Sequence, residues 1–191
     1  MCGRFYLPEN DVSEELMELL KNLNRTEPVK SSGELCPGDT IPVLCRSRSG
    51  APHPFAMKWG YSLQGRLIFN ARSETALQKP LFREGMLERR CLLPAAHYFE
   101  WEKKETGKLR YTLKPRDTGL FFLAGLYRFE QEKPVCTVLT RAPAEEISFI
   151  HDRMPVMLPL SMKEDWLNVK NDPLEMLRCA LTQMSFIPDP S

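Results

Sequence analysis

Short apolar runs follow one another from residue 41 to residue 140, and each is bounded by proline, glycine or charged residues. Runs of this kind are typical of buried or half-buried strands rather than of long helices. The eight candidate strands are Ile41–Cys45, Phe55–Trp59, Leu67–Asn70, Cys91–Pro94, Tyr98–Trp101, Leu109–Leu113, Leu120–Phe129 and Val135–Thr140. A turn at Glu105–Gly107 predicts a hairpin between the fifth and the sixth of them.

Helical patterns flank this region on both sides. Asp11–Asn24 has an apolar face at helical spacing, and Asp11 is a candidate N-cap. After the strands, helices are predicted at Ala144–Ile150, Ser161–Lys170 and Pro173–Leu181. Ser161 and Glu164 form a capping box for the second of these. We therefore predict one α+β domain over residues 1–191, with a curved, largely antiparallel, barrel-like sheet as its core and helices at its periphery.

The composition excludes several classes of protein. With 42% hydrophobic and 27% charged residues, the chain does not resemble a disordered protein, a collagen or a coiled coil. Its longest apolar stretch, Gly119–Tyr127, is less than half the ~20 residues that a membrane helix needs. The opening residues Met1–Phe5 are polar too early for a secretory leader. We therefore expect a soluble, cytoplasmic protein without membrane contact.

The spacing of the cysteines and the distribution of charge indicate which ligands this chain could bind, metal ions or nucleic acids. The six cysteines are scattered and include no CxxC pair, so neither a zinc site nor a disulfide framework is expected, and no metal or cofactor is predicted. Residues 41–116 carry 15 Lys+Arg and 6 Asp+Glu, net +9, which leaves net −8 for the rest of a chain whose total is +1. This basic segment either faces the phosphates of a nucleic acid or reflects ordinary solvated surface.

The sequence Met1-Cys2 carries unusual chemistry. Methionine is normally trimmed before a small second residue, so the mature chain is expected to begin with the α-amine of Cys2. An amine and a thiol then lie on adjacent carbons, and both are partly reactive near neutral pH. With an aldehyde, the amine forms a Schiff base and the thiol closes a thiazolidine ring. The alternative is a disordered terminus with an incidental cysteine.

Three further segments combine polar groups with apolar surroundings. Asn70 directly follows an apolar run, so it is either a functional group at a strand end or a helix N-cap. Glu100 is flanked by aromatic residues, so its carboxylate either is desolvated for acid–base work or faces water. His151 is the strongest acid–base candidate among the three histidines, with a purely structural histidine as the alternative.

Together these motifs resemble the SRAP family, whose name abbreviates SOS-response-associated peptidase. The matching stretches are Met1-Cys-Gly-Arg-Phe5, Trp59-Gly60, Asn70-Ala-Arg72 with Glu74-Thr75, Arg90-Cys-Leu-Leu-Pro94, Phe99-Glu-Trp101 and Ile150-His-Asp-Arg-Met-Pro155. They follow the family's order over most of the chain. The chain departs from the family where an Asn-x-Ala-Pro stretch is common, since Glu34-Leu-Cys-Pro-Gly38 stands there instead.

The resemblance implies a monomer that binds an abasic site in single-stranded DNA and links covalently to the ring-opened sugar. Such a protein shields the lesion and associates with the nucleoid during the DNA damage response. In the implied mechanism, Cys2 supplies the amine and the thiol, and Asn70 helps to place the cross-link. Glu100 orients the amine and shuttles protons, and His151 protonates the sugar ring oxygen.

The resemblance also implies a set of DNA-binding residues. Arg4, Arg72 and Arg153 match family positions close to the DNA phosphates. Trp59 matches a region where an aromatic residue packs by the bases. Arginines would attract phosphates in a salt-dependent way, and an aromatic ring can stack on an unpaired base.

Two other functions stay open at this point. A thiol peptidase or amidohydrolase would use Cys2 as nucleophile, His151 as base and either Asn70 or Glu100 as the orienting group, and could remove Met1 itself. A non-covalent reader of modified bases or DNA ends would need the arginines and the aromatic residue but would tolerate loss of Cys2. Strand cleavage at abasic sites through the same Schiff base would be a side activity.

Overall fold

The computed structural model describes residues 2–9, 23, 28–105 and 107–189. Apart from Leu23, the predicted helix at Asp11–Asn24 lies outside the described residues. Strands make up most of the described regular structure. They are β1 (Phe5–Leu7), β2 (Gly33–Leu35), β3 (Thr40–Arg46), β4 (Pro52–Trp59), β5 (Tyr61–Leu63), β6 (Arg66–Ile68), β7 (Asn70–Arg72), β8 (Arg90–Ala95), β9 (His97–Lys104), β10 (Gly107–Pro115), β11 (Phe121–Glu130), β12 (Lys133–Arg141), β13 (Met154–Pro155), β14 (Met157–Leu158) and β15 (Met184–Asp189).

Five of these strands close into a barrel. They pair in the order β12-β4-β3-β8-β11, and β11 pairs back onto β12. All of these pairings are antiparallel except that of β12 with β4. Gly125 in β11 makes closure compatible with close packing, because a Cβ there would lie 2.7 Å from Leu93 Cδ1 and 2.9 Å from the Thr137 carbonyl oxygen. Buried apolar side chains from these strands fill the core of the barrel.

A second sheet has the order β15-β10-β9-β1-β2 and holds the N-terminal segment. Phe5 of β1 lies opposite Tyr98 of β9, and the Phe99 backbone N–H donates to the Arg4 carbonyl at 2.9 Å. Successive side chains of a strand point to opposite faces of the sheet. Tyr98 and Glu100 therefore share the face on which Phe5 packs into the core, and Phe99 points to the other face. This pairing brings the first residues of the chain alongside β9.

The helices are short and peripheral. The α-helices span Pro80–Glu88, Lys163–Leu167 and Pro173–Arg178, and 3₁₀ turns span Glu145–Ile147 and Leu160–Met162. The predicted start at Pro173 is confirmed, and the Asp172 carboxylate caps that helix by accepting the Leu174 N–H at 2.9 Å. The predicted capping box of Ser161 and Glu164 is wrong, because the helix begins after Met162 and no side chain caps it.

The predicted fold class is confirmed: the chain is a single, mostly β domain with a curved, barrel-forming core and a few peripheral helices. All eight candidate strands are present, and Leu67–Asn70 is divided between β6 and β7. The predicted helix at Ala144–Ile150 is reduced to the 3₁₀ turn. Among the described residues, no helix is long and apolar enough to cross a membrane.

Candidate functional site

Cys2 lies in the core at the N-terminal end of the second sheet. Its side chain is fully buried, and its carbonyl oxygen accepts a hydrogen bond from Asn70 Nδ2 at 2.9 Å. Burial raises the pKa of the Cys2 thiol, and the negative charge of Glu100 raises it further, against a smaller opposite effect of a hydrogen bond from the Arg4 backbone. The thiol is therefore protonated at neutral pH.

Asn70 reaches Cys2 because two bonds fix the backbone just before it. The Phe69 carbonyl oxygen accepts from the Val138 N–H and from Trp59 Nε1, each at 3.0 Å. Asn70 itself opens β7, which runs parallel to β12, so the alternative of a helix N-cap does not hold. Its Oδ1 is buried and has no hydrogen-bond partner among the described residues. The amide thus holds Cys2 with its donor and keeps an acceptor for another group.

Glu100 is buried beside the same thiol. Glu100 is only 5% exposed. Because it lies two positions after Tyr98 in the strand, both side chains point to the core face of β9. Burial, the Cys2 sulfur and the Glu100 carboxylate all raise the pKa of Tyr98. The Tyr98 hydroxyl is buried and has no partner in the part of the chain that is described. The alternative that Glu100 simply faces water is therefore wrong.

His151 lies at the edge of this region, because it leads into β13, and β13 pairs with β12 next to β7, which begins at Asn70. It follows Ile150, which belongs to the same core cluster as Cys2, and its own side chain is 29% exposed. The Arg153 backbone N–H donates to His151 Nδ1 at 3.0 Å, and Asp152 Oδ1 lies 2.7 Å from the same nitrogen. Both contacts are made by Nδ1, so this side of the ring is held within the turn that carries it.

Arg153 connects three segments around His151. Its guanidinium donates to both carboxylate oxygens of Glu74 at 2.8 Å and to the Thr140 carbonyl oxygen at 2.7 Å. This fork-to-fork pair joins the chain after β7 to β12 and to the segment that carries His151. The guanidinium is therefore engaged within the protein, and a phosphate would have to compete with Glu74 for it.

The other two arginines, Arg4 and Arg72, differ in whether the guanidinium already has an anionic partner. Arg72 is exposed at the end of β7 and forms no ion pair with a described residue. Arg4 donates to Glu34 Oε2 at 3.0 Å, and its guanidinium lies 5.5 Å from the centre of the Trp101 ring. Arg72 is thus open to a ligand, whereas Arg4 already holds an anionic group.

Trp59 does not lie where a base could stack on it. The side chain is fully buried, its Nε1 donates to the Phe69 carbonyl oxygen, and its ring centre is 5.1 Å from that of Phe5. The expectation that Trp59 packs by the bases conflicts with this burial. Because Phe69 immediately precedes Asn70, Trp59 acts instead on the position of Asn70.

The charged and nucleophilic groups of the described residues form a site without the ligands for a metal ion. No cluster of three His, Cys, Asp or Glu side chains within the described ranges could hold a metal ion. All six cysteines are free thiols. The structure brings Cys2, Asn70 and Glu100 together in one buried region, and sets His151 at its rim with Arg153 behind it.

The protein-family description "SOS response associated peptidase (SRAP)" matches residues 1–187. The chain belongs to the SRAP family. Among curated relatives of this SRAP chain, the abasic site processing protein YobE of Bacillus subtilis is 37% identical, with 95% of this chain and 88% of that protein covered. The abasic site processing protein YoaM of the same organism is also 37% identical, but the match covers 61% of this chain and 54% of that protein.

Two solved structures share the fold of this SRAP chain. A Bacteroides thetaiotaomicron protein has a TM-score of 0.78 and 19% identity, with 98% of this chain and 91% of that chain covered. A phage-related protein of Bordetella bronchiseptica has a TM-score of 0.75 and 22% identity, with 100% and 95% covered. These likenesses extend over the barrel and the second sheet alike.

Several contacts around this region have no motif in the sequence. Tyr98 is one of the aromatic neighbours of Glu100, and the two-residue spacing in a strand puts both on one face. Glu34 and Arg110 carry no motif of their own, and their pairing joins β2 to β10 across the sheet. Glu74 stood in a matching stretch, but nothing in the sequence pairs it with Arg153.

Replacing Glu74 with glutamine should remove a pH-dependent part of the stability. The hydrogen bonds from Arg153 hold the pKa of Glu74 below its usual value. Their contribution is therefore complete above the pKa of glutamate in the unfolded chain and disappears as pH falls through the lowered value. The Glu74 side chain is 48% exposed, so we expect a loss below about 1 kcal/mol at pH 7.

Urea unfolding of both proteins at pH 7 and between pH 5 and pH 3 measures this effect. The difference in free energy of unfolding should shrink toward the acid end. A difference of the same size at every pH would mean that Glu74 stabilises by packing rather than by its charge.

Proposed function

We propose that this protein binds abasic sites in single-stranded DNA and cross-links to them through a thiazolidine formed by Cys2. The observation that carries the proposal is the hydrogen bond from Asn70 to the Cys2 carbonyl oxygen, which fixes the N-terminal residue beside the buried Glu100. The named relatives are abasic site processing proteins, which supports the choice of lesion. A stable covalent bond between Cys2 and the sugar would keep the protein on the abasic site and so shield the lesion.

The proposed reaction needs an aldehyde and releases one water. Removal of Met1 creates the α-amine of Cys2, whose nitrogen adds to the aldehyde carbon of the ring-opened sugar. Loss of the resulting hydroxyl as water gives the Schiff base. The thiol sulfur then bonds to the same carbon, its proton passes to nitrogen, and a five-membered ring closes. No oxidant or reductant is consumed.

The neighbouring groups suit these proton transfers. Glu100 accepts a proton as the amine attacks, and His151 protonates the sugar ring oxygen. After His151 has taken up a proton again from solvent, it protonates the departing hydroxyl. Asn70 Oδ1, buried and without a partner in the described ranges, accepts a hydrogen bond from the attacking nitrogen. Exposed Arg72 attracts the phosphate beside the lesion. An aldehyde in an unpaired strand can enter so confined a region more easily than one held in a duplex.

The state of the thiol favours this chemistry over a thiol peptidase. A cysteine peptidase needs a thiolate, and its cysteine pKa is lowered by a cationic neighbour. Burial and the Glu100 charge raise the pKa of Cys2 instead. An amine that attacks first, with a neutral thiol that follows, is compatible with those surroundings.

Intact-mass spectrometry tests the proposal. The purified protein is measured before and after mixing with a single-stranded oligonucleotide that carries one abasic site. We expect a starting mass without Met1, and then a heat-stable addition of the oligonucleotide less one water. An undamaged oligonucleotide of the same sequence is the control and should add no mass.

If Met1 is absent and no adduct forms, the proposed function fails. Addition without loss of water would also contradict it, because neither a Schiff base nor a thiazolidine retains that oxygen.

A further inference from the structure

The outer face of the second sheet carries aromatic rings and cations together. Side-chain alternation puts residues of four strands on this face, opposite to the face of Glu100. They are Arg4, Tyr6, Glu34, His97, Phe99, Trp101, Arg110 and Lys114. Of the strands that carry them, β1 and β9 are neighbours, and β2 and β10 flank them. Surfaces that bind single-stranded nucleic acid commonly combine positive charges, which attract the phosphates, with aromatic rings, on which the bases stack.

Glu34 lies at the centre of the charges on this face. Its Oε2 accepts from Arg4 Nη1 at 3.0 Å, and its Oε1 accepts from Arg110 Nη2. The two guanidiniums lie 5.5 and 5.9 Å from the centre of the Trp101 ring. One carboxylate thus bridges two arginines whose guanidiniums both lie within about 6 Å of the centre of the Trp101 ring.

Glu34 is held as an anion. Burial alone would raise its pKa, but hydrogen bonds from Arg110 and Arg4 outweigh that effect and hold the pKa of Glu34 below its usual value. Arg110 is further fixed by Phe99, whose ring centre is 3.8 Å away, and by Asp189 Oδ2 at 3.2 Å from its Nε. These contacts hold the Arg110 guanidinium beside the Glu34 carboxylate.

The two arginines present the donor geometry that a phosphodiester needs. Guanidinium groups bind carboxylate and phosphate oxygens with the same forked arrangement of N–H donors. The Arg4, Glu34 and Arg110 side chains are 38%, 34% and 17% exposed, so a strand reaches Arg4 and Glu34 from solvent and meets Arg110 beside them. Because Glu34 is partly solvated, its pairs with the arginines are weak, and displacing it opposes DNA binding only weakly.

We propose that Arg4 and Arg110 together bind one phosphodiester of the DNA strand, and that Glu34 occupies its place when DNA is absent. The inference rests on the proposed function, because it takes single-stranded DNA as the ligand. Arg110 is thereby a phosphate-binding residue on a strand that carries no part of the Cys2 region. Glu34 competes with DNA for the two arginines. It therefore lowers the affinity for DNA and excludes anions that bind weakly.

Binding of a fluorescent, undamaged single-stranded oligonucleotide, followed by anisotropy over a range of NaCl concentrations, separates this step from cross-linking. Glu34→Gln should bind about 5-fold more tightly at low salt, because one competitor is removed. The slope of log K against log salt should stay close to that of the unmodified protein, because both proteins contact the same phosphate. Arg110→Gln should weaken binding by a similar factor and flatten the slope.

Glu84→Gln is the matched control. Glu84 pairs with Arg89 at 3.0 Å on the helix Pro80–Glu88, so this change also removes one negative charge and breaks one arginine pair. Its affinity should stay close to that of the unmodified protein. Thermal unfolding of all three variants checks that they remain folded.

Weaker binding by Glu34→Gln would overturn the inference, since it would mean that Glu34 positions Arg4 for DNA. An increase no larger than that of Glu84→Gln would overturn it as well. Failure of the proposed function has a different signature, namely no mass addition on an abasic oligonucleotide. If the adduct forms but Glu34→Gln does not bind undamaged DNA more tightly than Glu84→Gln, the proposed function stands and this inference is rejected.

Discussion

Cys2→Ala should abolish the heat-stable adduct with abasic single-stranded DNA while leaving affinity for undamaged DNA within about twofold. Alanine keeps the α-amine, so a Schiff base still forms, but without the sulfur no ring can close and water reverses the bond. The substitution removes one buried sulfur atom, which costs at most a few kcal/mol of stability. We therefore expect a folded protein with a transient linkage.

Denaturing electrophoresis after heating, with and without prior borohydride, measures this outcome. Borohydride reduces a Schiff base to a stable amine, so Cys2→Ala should yield an adduct only with the reductant. Cys2→Ser is the closer control, because its hydroxyl can close a more labile ring. A heat-stable adduct of Cys2→Ala without reductant would exclude the thiazolidine. No trapped adduct under any condition would remove the amine as the nucleophile.

The strands could be predicted from the sequence because each apolar run is bounded by residues that end strands. Their pairing could not, since the contact of Cys2 with Asn70 depends on β1 lying against β9 and on β7 lying parallel to β12. These registers join segments far apart in the chain. The sequence therefore predicts Cys2 as a candidate nucleophile, whereas only the fold shows what surrounds it.

Trp59 illustrates why a matching motif did not give the side chain's environment. A tryptophan at a strand end is compatible with either face of the strand, and one residue of register decides between them. Here the ring turns inward and its N–H satisfies the Phe69 carbonyl. The helix Pro80–Glu88 is not among the predicted helices. Proline suits its start, and Gly85 allows close contact with Leu126.

Glu100→Gln should slow cross-linking by about 100-fold, the lower end of what a positioned acid or base contributes. Glutamine keeps the shape of the side chain in its buried position but cannot accept the proton that leaves the amine. Affinity for undamaged DNA should not change, because Glu100 lies on the core face of β9. Single-turnover rates with an abasic oligonucleotide, measured from pH 6 to pH 9, give the comparison.

The same substitution should make the Cys2 thiol easier to ionise. The Glu100 carboxylate raises the pKa of that thiol, so its removal lowers the pKa and shifts the pH profile of Cys2 alkylation to lower pH. General damage to the site would also expose the buried thiol, so thermal unfolding of the variant is measured alongside. Slower cross-linking with an unchanged unfolding temperature indicates a role in proton transfer. Glu102→Gln, on the same face of β9 and bonded to the Tyr111 hydroxyl, is the matched control. Wild-type cross-linking by Glu100→Gln would show that proton transfer does not pass through this carboxylate.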